Sequence, residues 1–206
     1  YATHIDLPDA YNLSRPALTK MFTVVQEIYK DAPNNLYADI ILPAATWGEW
    51  VGGIYVQSER RLYVCDGTGN PVKGCRPDMD MVIDKGKLIG KRLGLDMDKI
   101  FPYKRKENGF YDPEEVFRDF CRASKGTDAD LSGILEVEKE TGQSPYDQIR
   151  ELRGIQWPAP TAAIAKAGGT KRRYMGQEEY WPDKPYGEFR HADGKLHIHT
   201  IRQDYS

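Results

Sequence analysis

Residues Phe22 to Leu42 read FTVVQEIYKDAPNNLYADIIL. The runs Phe22 to Gln26 (FTVVQ) and Asp39 to Leu42 (DIIL) are short, apolar and rich in β-branched side chains, and each is followed by polar or turn-forming residues. That pattern predicts two buried strands. The connection EIYKDAPNNLYA is too long for a tight hairpin and suits a loop with a short helix, which favours a parallel α/β unit over an antiparallel pair. The chain up to Leu42 is therefore expected to form part of an α/β layer.

Downstream of Pro43 the composition changes. AATWGEWVGGIYVQSERRLYV carries a glycine pair and two tryptophans, and predicts an irregular loop running into a strand near Arg61 to Cys65, followed by turns in DGTGNPVKG. From Asp78, residues Met79, Val82, Ile83, Ile89 and Leu93 recur at helical spacing, with Gly94 placed to end the run. Asp112 and Pro113 open another helix, with Glu115 placed as in a capping box and Val116, Phe117 and Phe120 as its expected buried face. Ser144 and Pro145 start a third helix, ended by Gly154. From Trp157 to about Gly187 no period is strong, and loops that long usually serve a site or cover a neighbour. Lys195 to Ile201 (KLHIHTI) alternates in character and is expected to be a strand.

Length and charge narrow the classes. A chain of 206 residues can bury roughly 70% of its unfolded surface, enough for one good core or two small ones. The net charge of -2 supplies no basic field for a nucleic acid or an anionic membrane. No apolar run approaches the roughly 20 residues needed to cross a bilayer, so no membrane insertion is expected. Tyr1 to Pro16 carries no leader chemistry, which leads us to expect a processed or partial chain. Cys65, Cys75 and Cys121 form no C-x-x-C pair and signal neither a disulfide framework nor a metal or cluster site. They are expected to be small buried hydrophobes.

The run Tyr37-Ala-Asp-Ile-Ile-Leu-Pro-Ala-Ala-Thr-Trp-Gly-Glu49, followed after a glycine pair by Ser58-Glu-Arg-Arg61, resembles the molybdopterin oxidoreductases of the dimethyl sulfoxide reductase superfamily. Arg76-Pro-Asp78, Ser124-Lys-Gly-Thr-Asp-Ala-Asp-Leu131, Arg153-Gly-Ile-Gln-Trp-Pro158, Gly169-Thr-Lys-Arg-Arg-Tyr174 and Asp193-Gly-Lys195 follow in the order shown by periplasmic nitrate reductases. Formate dehydrogenases share the L-P and I-Q-W-P pieces, and arsenite oxidases the E-R-R piece. The resemblance implies a partial α/β/α layer with short parallel strands, followed by a helical and loop-rich excursion. It divides the chain into 1–75, part of a molybdopterin guanine dinucleotide-binding domain; 76–155, its helical continuation; and 156–206, an irregular segment leading toward a C-terminal barrel.

The same resemblance implies a molybdenum bis(molybdopterin guanine dinucleotide) cofactor, with the molybdenum ligand and a 4Fe-4S cluster held by an upstream part. It implies nitrate reductase-like oxygen-atom transfer, with arsenite oxidase, formate dehydrogenase or a non-catalytic binding or assembly module as alternatives. The implied partners are the remainder of the same polypeptide and an electron-transfer subunit, a cytochrome or an iron-sulfur protein. The implied location is the periplasm. No residue of this chain is expected to be catalytic or to ligate a metal.

Four residues are candidates for holding the cofactor. Gln26 and Glu27 stand at the carboxyl end of the first strand, where open α/β sheets bind nucleotides. A carboxylate there can accept from ribose hydroxyls and the neighbouring amide can orient a sugar or phosphate; the alternative is a pair of solvated residues closing a strand. By the resemblance they match a serine and an aspartate that contact the cofactor. Asp78 can accept a planar bidentate pair from the N1-H and amine of guanine; its alternative is a helix N-cap. Trp50 takes the position of a cofactor-contacting lysine, where it can stack on a pterin or guanine face or simply pack under the loop.

Other groups carry weaker signals. Glu49, Glu59, Arg60 and Arg61 suggest either an ionic brace for the tryptophan loop or surface pairs. His197 and His199 share one side of the last strand without a third ligand nearby in sequence. Lys171-Arg172-Arg173 suits a solvated loop or a partner face. Asp128 and Asp130 lack the spacing of an acid-base pair.

Overall fold

The computed structural model describes residues 10–171 and the positions Asp193, Lys195 and His197. Of the expected strand from Lys195 to Ile201 only Lys195 and His197 are described; the rest of it, His199 included, and the basic pair Arg172 and Arg173 lie outside the described residues. The chain divides into two compact units: unit 1, Tyr1–Tyr55 with Val64–Phe117, and unit 2, Val56–Tyr63 with Arg118–Ser206.

Among the described residues, unit 1 opens with a helical turn, Ala10–Ser14, that runs into α1 (Arg15–Leu18). Strands β1 (Val24–Glu27) and β2 (Ile40–Pro43) follow and pair in parallel, with Val24 opposite Ile40 and Gln26 opposite Leu42. The connection holds a short 3-10 helix, Pro33–Tyr37, started by the proline. Both elements and their parallel sense agree with the sequence expectation, but no residue of either strand is buried as expected: Val24, Ile40 and Ile41 are each more than 40% exposed. One residue past β2, Ala44 pairs in parallel with Arg76, and the Ala45 amide donates to the Arg76 carbonyl over 2.9 Å. This bridge brings the start of α2 (Asp78–Arg92) to the carboxyl end of the β1–β2 pair.

The stretch between Trp50 and Arg61 departs from the expected irregular loop. It forms β3 (Val51–Val56), which turns through Gln57 to Arg60 into β4 (Arg61–Asp66). Arg60 adopts a left-handed φ of 63° in that turn. Glycines at 52 and 53 weaken the alternating pattern by which a strand is read, and the Trp50 ring explains one of them: a Cβ on Gly53 would meet it at 3.2 Å.

Helix α2 runs as expected, and Gly94 with φ 72° follows its end. Of the expected apolar set only Ile83 is buried, however. Asp80, Met81, Ile83 and Gly90 point inward, whereas Val82, Ile89 and Leu93 are more than half exposed. A short α3 (Met97–Ile100) and the pairing of Arg105 with Tyr111 lead to α4 (Pro113–Ala123), which carries the chain into unit 2. The Asp112 side chain accepts from the Glu114 amide over 3.0 Å, as its capping role requires. Phe117 is buried, but Phe120 is 54% exposed and fully buried Cys121 takes the inward position.

Unit 2 packs α5 (Ser132–Thr141), α6 (Pro145–Glu151) and α7 (Ala162–Lys166) around Leu131, Ile134, Ile149 and Ile155. Strand β5 (Ile155–Gln156) pairs antiparallel with Arg61 and Leu62 of β4. Ser144 caps α6 through the Asp147 amide. Burial drives the Cys121 thiol up to about 12, which fits its reading as a small core hydrophobe; Cys65 and Cys75 are half-buried and unpaired.

Candidate functional site

The carboxyl end of the β1–β2 pair is where the candidate residues gather. Gln26 is the third residue of β1, and its Nε2 donates to Oδ1 of Asp78 over 2.6 Å. On its other side the Gln26 Oε1 accepts from the Lys85 ammonium. One carboxamide therefore links a carboxylate and a cation that stand two helical turns apart on α2.

Asp78 is the first residue of α2, and Pro77 is its N-cap, without a side-chain cap bond. The alternative assignment of Asp78 as the N-cap is thus not what the backbone displays; its carboxylate turns to Gln26 instead. Glu27 folds back on its own chain, with Oε1 accepting from the amides of Ile28 at 2.8 Å and Tyr29 at 3.3 Å. Trp50 is half-buried, with its ring over Gly53. Its carbonyl is backed by Gly67, where a Cβ would stand 2.3 Å from that oxygen. Gln26 and Asp78 are thereby brought together, Glu27 adjoins them along the strand, and Trp50 packs within its own hairpin. A cavity of about 270 Å³ runs along β1, lined by the whole strand with Leu18, Thr23, Asn34 and Tyr37.

Behind this end, a charged cluster fixes α2. Asp80 is fully buried, and its carboxylate accepts from Arg105 at 3.1 Å and from the Tyr111 amide at 3.4 Å. Asp84 accepts from Arg76, from Arg105 at 2.5 Å and from the Tyr111 hydroxyl at 2.9 Å. The Arg105 guanidinium lies over the Tyr111 ring, 4.5 Å from its centre. Burial raises the Asp80 carboxyl above the ordinary range despite the Tyr111 amide and the Arg105 and Arg76 charges. For Asp84 burial also acts upward, but hydrogen bonds from Arg76, Tyr111 and Arg105 outweigh it and hold the group below its ordinary value. Sequence reading missed this cluster and Lys85. Lys85 lies seven residues after Asp78, a spacing that returns to the same helix face and was the available signal.

The expected brace of Glu49, Glu59, Arg60 and Arg61 resolves into separate tasks. Glu49 closes its own turn by accepting from the Thr46 amide at 2.8 Å. In unit 2, Arg60 donates to the carbonyls of Trp157, Thr170 and Lys171, and Gln156 donates to the Glu59 carbonyl. Glu59 accepts from Tyr63, and the Arg61 stem crosses Gly154, leaving no room for a Cβ there. Asp130 is buried and structural, accepting from the amides of Gly126 and Ser132. His197 is bonded to Asp193 at 2.9 Å. No group of three or more His, Cys, Asp or Glu among the described residues is arranged to hold a metal ion.

Comparison with known proteins fits this geometry into a family. The molybdopterin oxidoreductase family model matches residues 2–84, a span that holds β1, β2, Trp50 and Asp78. Over that span the chain is similar to the molybdopterin oxidoreductase family. Among its relatives, it is 31% identical over 153 residues to the assimilatory nitrate reductase of Haloferax mediterranei, covering 74% of this chain and 18% of that protein. It is 28% identical over 162 residues to the periplasmic nitrate reductase of Desulfovibrio desulfuricans, covering 78% and 18%. It is 29% identical over 135 residues to an iodate reductase subunit of Denitromonas iodatirespirans, covering 64% and 14%. The chain thus spans less than a fifth of the length of these relatives.

Proposed function

We propose that this chain is a cofactor-holding segment of a molybdenum bis(molybdopterin guanine dinucleotide) oxidoreductase that carries out nitrate reductase-like oxygen-atom transfer. The observation that carries the reading is the Gln26–Asp78 contact at the carboxyl end of a parallel strand pair. Strand tips of open α/β sheets are where nucleotides bind. A carboxylate at the first position of a fifteen-residue helix is held there by a neutral amide that a ligand can displace. Three of the candidates fit the group: Asp78 takes the guanine N1-H and amine, and Glu27 and the Gln26 amide serve the ribose and phosphate, while Trp50 packs over Gly53 in its own hairpin. When bound, the cofactor supplies two-electron oxygen-atom transfer at its metal. This chain's residues bind and orient it, while the metal ligand and the 4Fe-4S cluster belong to other parts of the protein.

The partners on this reading are the remainder of the same polypeptide and an electron-transfer subunit, a cytochrome or an iron-sulfur protein. The location is the periplasm, in keeping with the resemblance and one relative's name. No helix among the described residues is long and apolar enough to cross a membrane. Reduction of a different oxyanion is the second reading, favoured by Trp50 in place of a cation and by the likeness to an iodate reductase subunit.

Acid hydrolysis of the purified full-length protein, with metal analysis and nucleotide chromatography, tests the proposal. Guanine nucleotide should be released alongside molybdenum, and Asp78→Asn should lower the guanine nucleotide retained by roughly tenfold or more, given that hydrogen bonds to a charged acceptor contribute about 1.5–3 kcal/mol. Recovery of neither metal nor guanine nucleotide would sink it.

A further inference from the structure

The Gln26 carboxamide has one acceptor and one donor group, and its two neighbours leave no freedom in how it is turned. An ammonium only donates and a carboxylate only accepts, so the oxygen faces Lys85 and the nitrogen faces Asp78. Among the described residues Lys85 forms no ion pair with a carboxylate, and Asp78 forms none with a cation. Two opposite charges on one helix face are thus held apart by a neutral amide instead of pairing with each other. Nearby cations are used differently: Lys87, on another face of the helix, donates to the Tyr103 carbonyl, and Arg76, just before the helix, donates to Asp84.

The pairing edge of guanine presents the same order of groups as that carboxamide, a carbonyl oxygen beside N–H donors. We infer that Lys85 is a base-reading residue that donates to the guanine O6, with the guanine edge taking the place of the Gln26 amide between Asp78 and Lys85. The inference rests on the reading of Asp78 as the guanine acceptor. Adenine reverses both contacts, setting an amine against the ammonium and a ring-nitrogen lone pair against the carboxylate, so it is rejected by repulsion as well as by lost bonds. Hypoxanthine keeps O6 and N1-H and lacks only the amine. Lys85 therefore serves guanine and hypoxanthine equally, whereas Asp78 tells them apart.

Calorimetric titration of the cofactor-free full-length protein with GMP, IMP and AMP reads these roles separately from turnover. Lys85→Met should weaken GMP and IMP alike, by about ten- to a hundredfold for a lost charge-assisted hydrogen bond. It should leave the GMP-to-IMP ratio and the circular dichroism spectrum unchanged and should not weaken AMP, whose amine no longer faces an ammonium, and Lys85→Arg should restore part of the loss. Asp78→Asn should collapse the GMP-to-IMP ratio. If Lys85→Met leaves GMP affinity intact while Asp78→Asn weakens it, the role of Lys85 is overturned and that of Asp78 stands. If neither variant changes GMP binding, the Asp78 reading itself falls. Equal weakening of all three nucleotides by Lys85→Met also overturns the inference, because the lysine would then act on the shared phosphate.

Discussion

Asp80 and Asp84 sit one turn apart on α2, share Arg76 and Arg105, and depart from the ordinary carboxyl value in opposite directions. Asp84 is lowered in the fold, so its contribution is fully present above the unfolded value, near 3.8, and is lost as pH falls through its folded value. Asp80 is raised, so its contribution is greatest below 3.8 and diminishes as pH rises through its folded value. Asp84→Asn is therefore expected to cost about 1–3 kcal/mol at neutral pH, as for hydrogen bonds to a charged group. It should also flatten the decline of stability on the acid side. Denaturant unfolding at a series of pH values, followed by tryptophan fluorescence, measures both; acid limbs of equal slope in wild type and variant would refute the assignment. None of this was legible in the sequence, where an aspartate inside an amphipathic helix is read as a solvated residue. Its burial depends on Arg105, brought alongside only by the fold. Gln26 and Asp78 were legible because strand ends and helix starts announce themselves locally, but their contact joins residues 52 positions apart.

Helix α5 illustrates why elements differ in legibility. The strands β1 and β2 announce themselves by consecutive apolar, β-branched residues, whereas α5 spends half of its length on glutamate, lysine and threonine and begins Ser-Gly. Its usable marks were Asp130 before the start, Ile134 and Val137 at helical spacing, and Gly142, which closes it with a left-handed φ of 75°. Strand β3 was hidden for the opposite reason, since Gly53 answers to the crowding Trp50 ring and Gly52 to a φ of 93°, not to strand propensity. Gly133 turns this point into a measurement. Within a helix, alanine in place of glycine adds about 1 kcal/mol of stability through backbone entropy. Here the new Cβ would lie 2.3 Å from the Thr161 carbonyl oxygen and 2.5 Å from that of Ala159, to which the Gly133 amide itself donates. Neither backbone oxygen can move without breaking the packing of α5 on α7, and overpacking of this kind costs about 1–3 kcal/mol. Gly133→Ala is accordingly expected to lower the thermal midpoint of unit 2 by circular dichroism. An unchanged or raised midpoint would mean that the α5–α7 approach is looser than described.

The two units are unequally finished. Unit 2 buries Leu131, Ile134, Val137, Tyr146, Ile149 and Ile155 together with Cys121. Of the large apolar side chains left exposed among the described residues, only Val56 and Phe120 belong to it. Unit 1 leaves Phe22 73%, Leu36 83% and Trp47 78% exposed, and on its parallel strands Val24, Ile40 and Ile41 are each more than 40% exposed. Parallel sheets are stable when both faces are covered by other elements, and an apolar surface of this kind marks an interface. Since the chain spans 18% of the length of its nitrate reductase relatives, the remainder of such a protein is the natural cover. The isolated chain should therefore bind an apolar fluorescent dye and self-associate. Its amides should also exchange unevenly, those of α5 and α6 protected for longer than those of β1 and β2. A monodisperse chain without dye binding, and with equal protection in both units, would show that unit 1 needs no further cover. The non-catalytic binding module would then be the better account of the molecule, because a self-sufficient unit 1 could hold a nucleotide without the domains that supply the metal.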